Sequence, residues 1–115
     1  KTLFPYTTLF RSLKNAIDWA SRPWGQNSFV NMPVAVIGAS PGSLGTALAQ
    51  QSLRAVLSFL NTRQLTSPEA YVTYRPDDYS PDGTVANPRT RDFLTNFMLE
   101  FRDHIERVLT VLPRH

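Results

Sequence analysis

The 115-residue chain has no cysteine. That absence closes off a disulfide framework, a thiolate zinc site, an iron–sulfur cluster and a cysteine nucleophile. Glycine is scarce at 5 residues, while the 9 prolines exceed average usage. Charged residues make up only 18% and hydrophobic ones 42%, a balance that builds a core rather than a disordered polar tail. The length suits one globular domain and leaves no room for two ordinary ones. No apolar run approaches the roughly 20 residues needed to span a bilayer; the longest, residues 33–39, has the length of a buried strand. The N-terminus lacks the continuous apolar stretch and small-residue cleavage site of a secretory signal, so a cytoplasmic location and no membrane partner are expected.

The formal charge of +3 is placed in a way that argues against a nucleic-acid partner. Lys1 and Arg11 lie near the start, Lys14, Arg22, Arg54 and Arg63 are spread singly, and the segment from residue 69 onward is net acidic. No basic stripe exists to track a phosphate backbone.

Residues 1–12, KTLFPYTTLFRS, fit neither a helical nor a strand pattern. The stretch from Leu3 to Ser12 looks like the conceptual translation of a sequencing adapter, so 1–12 is read as non-native and set apart from the fold. A helix is expected over 13–21, with Leu13, Ala16, Ile17 and Ala20 on one face, stopped by Pro23 and Gly25. Residues 34–38 are apolar throughout, as befits a strand covered on both faces of a parallel sheet. A tight loop, 39–42, leads to a long helix over 43–60 with Leu44, Ala47, Leu48, Val56, Leu57 and Leu60 at helical spacing, ending at Asn61. Residues 70–74 read as a second strand. After a Pro/Asp/Gly-rich loop, Asn87 and Pro88 open a final helix as N-cap and first residue. Its stripe is Phe93, Phe97, Phe101, Ile105, Val108 and Leu112, widened by Leu94, Met98 and Leu109, and is read as core.

Alternating helices and strands imply right-handed crossovers and an α/β fold with a parallel sheet. Two strands are too few, and an open apolar strand edge is a liability, so a further N-terminal part of the domain is expected. In such a sheet, ligands bind beyond the carboxyl ends of the strands, where residues 39–45 fall. Gly38, Gly42 and Gly45 match neither the dinucleotide pattern nor a Walker loop. What remains is a small-residue loop able to approach a flat ligand, with Ser40 offering a hydroxyl; a plain strand-to-helix turn is the alternative.

Five segments together resemble the NADPH-dependent FMN reductase family, which includes quinone, chromate and azo reductases. They are Leu13-Lys14-Asn15-Ala16-Ile17-Asp18-Trp19, the run from Pro33 to Gly42, Gly45-Thr46-Ala47, Leu53-Arg54-Ala55-Val56-Leu57, and Asp82-Gly83 with Thr90-Arg91-Asp92-Phe93-Leu94. The resemblance implies a flavodoxin-like doubly wound parallel sheet, of which residues 13–115 would form the C-terminal part. It implies FMN as cofactor, NAD(P)H as co-substrate, a small-molecule electron acceptor, ping-pong kinetics, and a homodimer or homotetramer. Ser40 matches the family's flavin-contacting position, with Ala39, Pro41 and Gly42 as backbone neighbours. The family's Ser/Arg phosphate loop and its Pro-Glu-Tyr-Asn loop are absent, so this chain is expected to bind FMN weakly or not at all and to be inactive by itself.

No side chain is expected to be catalytic, since the chemistry belongs to the cofactor, and no metal site is expected. A flavodoxin-like electron carrier and an inactive fragment are the rival readings. His104 is read as a surface residue. Asp77, Asp78 and Asp82 are read as a solvated turn, because EF-hand spacing is missing. Trp19 is expected to pack on a partner subunit, and Arg54 to be a solvated surface arginine.

Overall fold

A computed structural model describes residues 5–23, 26–42 and 46–113. The expectations at Gly25, Leu44 and Gly45 lie outside these residues, as does the expected start of the helix at residue 43. In chain order the elements are helix α1 (Pro5–Ala20), strands β1 (Pro33–Val34) and β2 (Ile37–Ser40), helix α2 (Ala47–Phe59), strands β3 (Arg63–Gln64) and β4 (Ala70–Thr73), a single 3-10 turn (Pro76–Asp78) and helix α3 (Pro88–Val111).

The first helix starts at Pro5, eight residues earlier than the apolar pattern places it, and corrects the reading of residues 1–12 as patternless. Proline suits a first helical position because its missing N–H would be unsatisfied there anyway. No glycine or proline then interrupts the chain before Pro23. Ile17 is half-buried, whereas Leu13, Ala16 and Ala20 are exposed.

The single buried strand expected over 34–38 is two short ones. Pro33 and Val34 pair in parallel with Arg63 and Gln64, while Ile37 to Ser40 pair in parallel with Ala70 to Thr73. From Val34 to Ile37 the chain advances three positions, but from Gln64 to Ala70 the partner advances six. The surplus bulges out around Pro68, which has no N–H to give to a ladder. β2 is also only half covered, its residues alternating exposed and half-buried.

Because successive strand residues face opposite ways, Gly38, Ser40, Tyr71 and Thr73 share one face. Ile37, Ala39, Ala70 and Val72 share the other. The first face meets α2, through Thr46 against Gly38 and Arg54 against Tyr71. The second meets α3, whose Phe97, 2% exposed, clusters with Ala70 and Leu65, flanked by Ala35 and Phe101. Helix, sheet and helix are thus stacked in three layers, the α/β arrangement expected.

Helix ends follow local chemistry. Asn87 caps α3, its side chain accepting from the Arg89 N–H at 2.9 Å, with Pro88 at the first position. Asn61 takes a left-handed conformation, φ 60°, just past α2, and the Thr62 N–H and hydroxyl both reach the Leu57 carbonyl, at 3.2 and 3.0 Å. Of the stripe expected on α3, Phe97 is buried and Phe101, Ile105, Val108 and Leu112 are half-buried, with Leu94 beside them, while Phe93, Met98 and Leu109 are exposed. On α2, Leu57 and Leu60 are buried but Leu48 is 79% exposed.

Candidate functional site

β2 and β4 run parallel, so their carboxyl ends share one edge of the sheet. Ser40 and Thr73 are register partners there, and the Tyr74 N–H donates to the Ser40 carbonyl at 2.8 Å. Beyond such an edge the loops diverge to the two sides and leave a crevice that small molecules occupy.

Ser40 ends β2, and Pro41 and Gly42 carry the chain away. The Gly42 N–H donates to Ser40 Oγ at 3.2 Å, closing a local turn of the kind that serine hydroxyls stabilise. The Ser40 hydroxyl keeps its proton and a second lone pair for another partner. Among the described residues, a Cβ built on Gly42 would meet only Ser40 Oγ, at 3.6 Å, within 4 Å. Nothing else among them closes the mouth of the turn at that point. Ser40 is half-buried, whereas Ala39, Pro41 and Gly42 are exposed. The side chain of Ala39 points to the opposite face from Ser40, which leaves its backbone as its contribution to the turn. The four residues singled out from the sequence are therefore together at a strand end.

On the opposite face of the same edge the Tyr74 and Tyr79 rings stack, with centroids 5.5 Å apart and planes 18° from parallel. Asp78 holds this loop. Its carboxylate accepts from Asn87 Nδ2 at 2.9 Å and Thr90 Oγ1 at 3.2 Å, and its carbonyl accepts from the Ala86 N–H at 2.7 Å. Asp78 is buried, which corrects the reading of the aspartates as a solvated turn: the start of α3 folds back over it. No local sequence signal marks Asp78, because its partners lie nine and twelve residues away. Asp82 does sit in an exposed turn. The Thr84 N–H donates to its carboxylate at 3.0 Å and, with the Thr84 hydroxyl, holds it below the usual carboxylate range. Asp77, Asp78 and Asp82 do not gather into a metal-binding group.

Two other side chains are placed differently from expectation. The Arg54 side chain is only 12% exposed. It donates to the Tyr71 hydroxyl at 3.1 Å and lies 3.5 Å from Glu69, with its guanidinium 5.8 Å from the Tyr71 ring centroid. It is an internal brace between α2 and β4 rather than a solvated arginine. His104 Nε2 lies 2.8 Å from the Arg63 carbonyl, so this histidine ties α3 to β3. Trp19 is 74% exposed on α1.

A cleft of about 600 Å³ opens between α1 and α2, lined by Lys14, Asp18, Arg22, Val56, Phe59 and Leu60 among others. No residue of the 39–42 turn lines it. It is a separate feature, away from the strand ends.

The chain matches the family model described as NADPH-dependent FMN reductase over residues 12–77. It is 43% identical over 86 residues to a 2-hydroxy-1,4-benzoquinone reductase from a Burkholderia species, covering 75% of this chain and 47% of that protein. It is 37% identical over 94 residues to a quinone reductase from Pseudomonas putida, covering 82% of this chain and 50% of that protein. Among solved structures it resembles FerB, a flavoenzyme NAD(P)H:(acceptor) oxidoreductase from Paracoccus denitrificans, with TM-score 0.79 and 47% identity over 83% of this chain and 52% of that one. The chain spans about half the length of the curated relatives it matches. Parallel pairing, helices on both faces and this likeness make the fold flavodoxin-like. The match runs from the second half of α1 through the strand-end turn and β4, and on it the chain belongs to the NADPH-dependent FMN reductase family.

Proposed function

We propose that this chain contributes one wall of the ring-binding site of an NAD(P)H-dependent flavin oxidoreductase that reduces a small-molecule acceptor such as a quinone. The observation that carries the reading is the open turn Ser40-Pro41-Gly42 at the shared carboxyl end of two parallel strands, in a chain whose relatives include quinone reductases. The turn suits a flat, polar-edged ring. Gly42 presents no side chain, Pro41 presents a short apolar ring, and Ser40 keeps hydrogen-bonding capacity for a ring heteroatom. FMN, when bound, would supply the redox chemistry, taking a hydride from NAD(P)H and passing electrons to the acceptor.

The chain's own residues orient and shield. The main-chain groups of residues 39–42 and the Ser40 hydroxyl would fix the ring edge, and the sheet end would exclude water from one side. No side chain at this edge is needed as a general acid or base. Homo-oligomers belong to the same reading: Trp19 and Phe59 expose large apolar surfaces of the kind that subunit contacts cover.

Titrating FMN into the isotopically labelled chain, and following backbone amide resonances, tests the reading. Weak binding with changes concentrated at Ala39, Ser40 and Gly42 is expected. Changes confined to the cleft between α1 and α2 would remove the turn from the site. Mixing FMN-loaded protein with NADPH separates a reductase from an electron carrier: rapid bleaching of the flavin absorbance is expected of the reductase.

A further inference from the structure

The loop that carries the turn returns to the fold at Thr46, and that return is tightly fitted. A Cβ built on Gly38 would lie 2.8 Å from Thr46 Cβ and 3.0 Å from its Cγ2, and would run into its hydroxyl. Gly38 is thus a place where the loop's far end lies directly on the strand it left. Gln50, one helical turn further on, is 3% exposed. Its Nε2 donates to Thr46 Oγ1 at 2.7 Å and to the Ala70 carbonyl at 2.9 Å. Ala70 is the register partner of Ile37. One amide therefore ties the end of the loop to the strand beside the one from which the loop departs.

Gln50 is a poor choice as plain filler. Among the described residues its Oε1 is buried without a hydrogen-bond partner, a cost that an apolar side chain of similar shape would avoid. What an apolar replacement could not reproduce is the pair of directed N–H bonds. Thr46 rests on Gly38, two residues before Ser40, so this contact bears directly on the strand end that carries Ser40 to Gly42.

We propose that Gly38, Thr46 and Gln50 form a latch that fixes the end of β2 against the start of α2 and so holds the Ser40 hydroxyl and the Gly42 backbone in place for the ring. They are positioning residues and do not touch the ligand. The inference rests on the flavin reading of the turn for its purpose, though not for its geometry. Displacement of a binding group by about 1 Å is enough to spoil a site of this kind.

The test uses Gln50→Met, which fills the space without donating, together with Thr46→Val, which keeps the shape and loses the hydroxyl. Thr46→Ser keeps the hydroxyl and is the rescue variant. Two readouts are taken on the whole chain: amide resonances without ligand, and their response to FMN at one fixed concentration. With no ligand present, Gln50→Met and Thr46→Val should move the resonances of Ala39, Ser40 and Gly42 while Val34 and Gln64 stay put, and Thr46→Ser should restore them. The FMN response at the turn should be lost in the first two variants and retained in Thr46→Ser. If Gln50→Met does not fold, the Thr46 pair decides alone. Unmoved resonances at 39–42 in the ligand-free Thr46→Val chain, or equal behaviour of Thr46→Val and Thr46→Ser, would overturn the latch. The ligand-free resonances decide the latch whether or not the unaltered chain responds to FMN.

Discussion

Ser40 is the residue proposed to make the contact on which the functional reading turns, and its environment sets what its loss should do. Its Oγ already accepts one bond, from Gly42, so alanine removes both a turn-closing bond and the hydroxyl offered to a ligand. Ser40→Ala should weaken FMN binding by about 1 kcal/mol, the size of one net hydrogen bond, read as a higher dissociation constant in an amide titration. Asp78 belongs at the same scale. Removing its carboxylate orphans Asn87 Nδ2 and Thr90 Oγ1, and Asp78→Ala should cost about 1–3 kcal/mol in urea unfolding. An unchanged unfolding midpoint would mean that water replaces the carboxylate at no loss.

Among the elements, α3 and the two strand pairs depend most on one another. Phe97 is the side chain through which α3 reaches Ala70 and Leu65, and Phe97→Ala should destabilise by about 3–5 kcal/mol, seen as a large fall in the thermal midpoint by circular dichroism. Asn87→Ala should cost about 1 kcal/mol through the lost N-cap. The start of α3 and the stop of α2 at Asn61 were legible in the sequence, because a cap is chemistry between near neighbours. The break between β1 and β2 was not. It goes with the longer path of the partner segment from Gln64 to Ala70, and no pattern within 33–40 records it. Asp78 and Arg54 were misjudged for the same reason, since burial comes from residues distant in sequence: the start of α3 over Asp78, and Tyr71 and Glu69 around Arg54. The start of α1 was missed because residues 1–12 are set apart from the fold in the sequence reading, whereas the helix begins at Pro5. The turn at 39–42 was legible as a candidate because a strand followed by small residues and a helix places it at a sheet edge whatever the rest of the fold does.

On the scale of the whole molecule, the account makes one sheet edge a binding wall with a face on each side. The α2 face holds Ser40 and Thr73, with the Gly38–Thr46–Gln50 contact behind them. The α3 face holds the Tyr74–Tyr79 stack, braced by Asp78. A cleft of about 600 Å³ lies elsewhere, between α1 and α2, so shape alone would direct a ligand search to a different place than the strand topology does. The measurement that separates the two most directly is the set of magnetisation transfers between the ring methyl protons of FMN and the protons of the chain. The account predicts cross-peaks to the Ser40 β-protons and Gly42 α-protons. Cross-peaks to Val56 and Leu60 in the cleft, with none to Ser40 or Gly42, would contradict it.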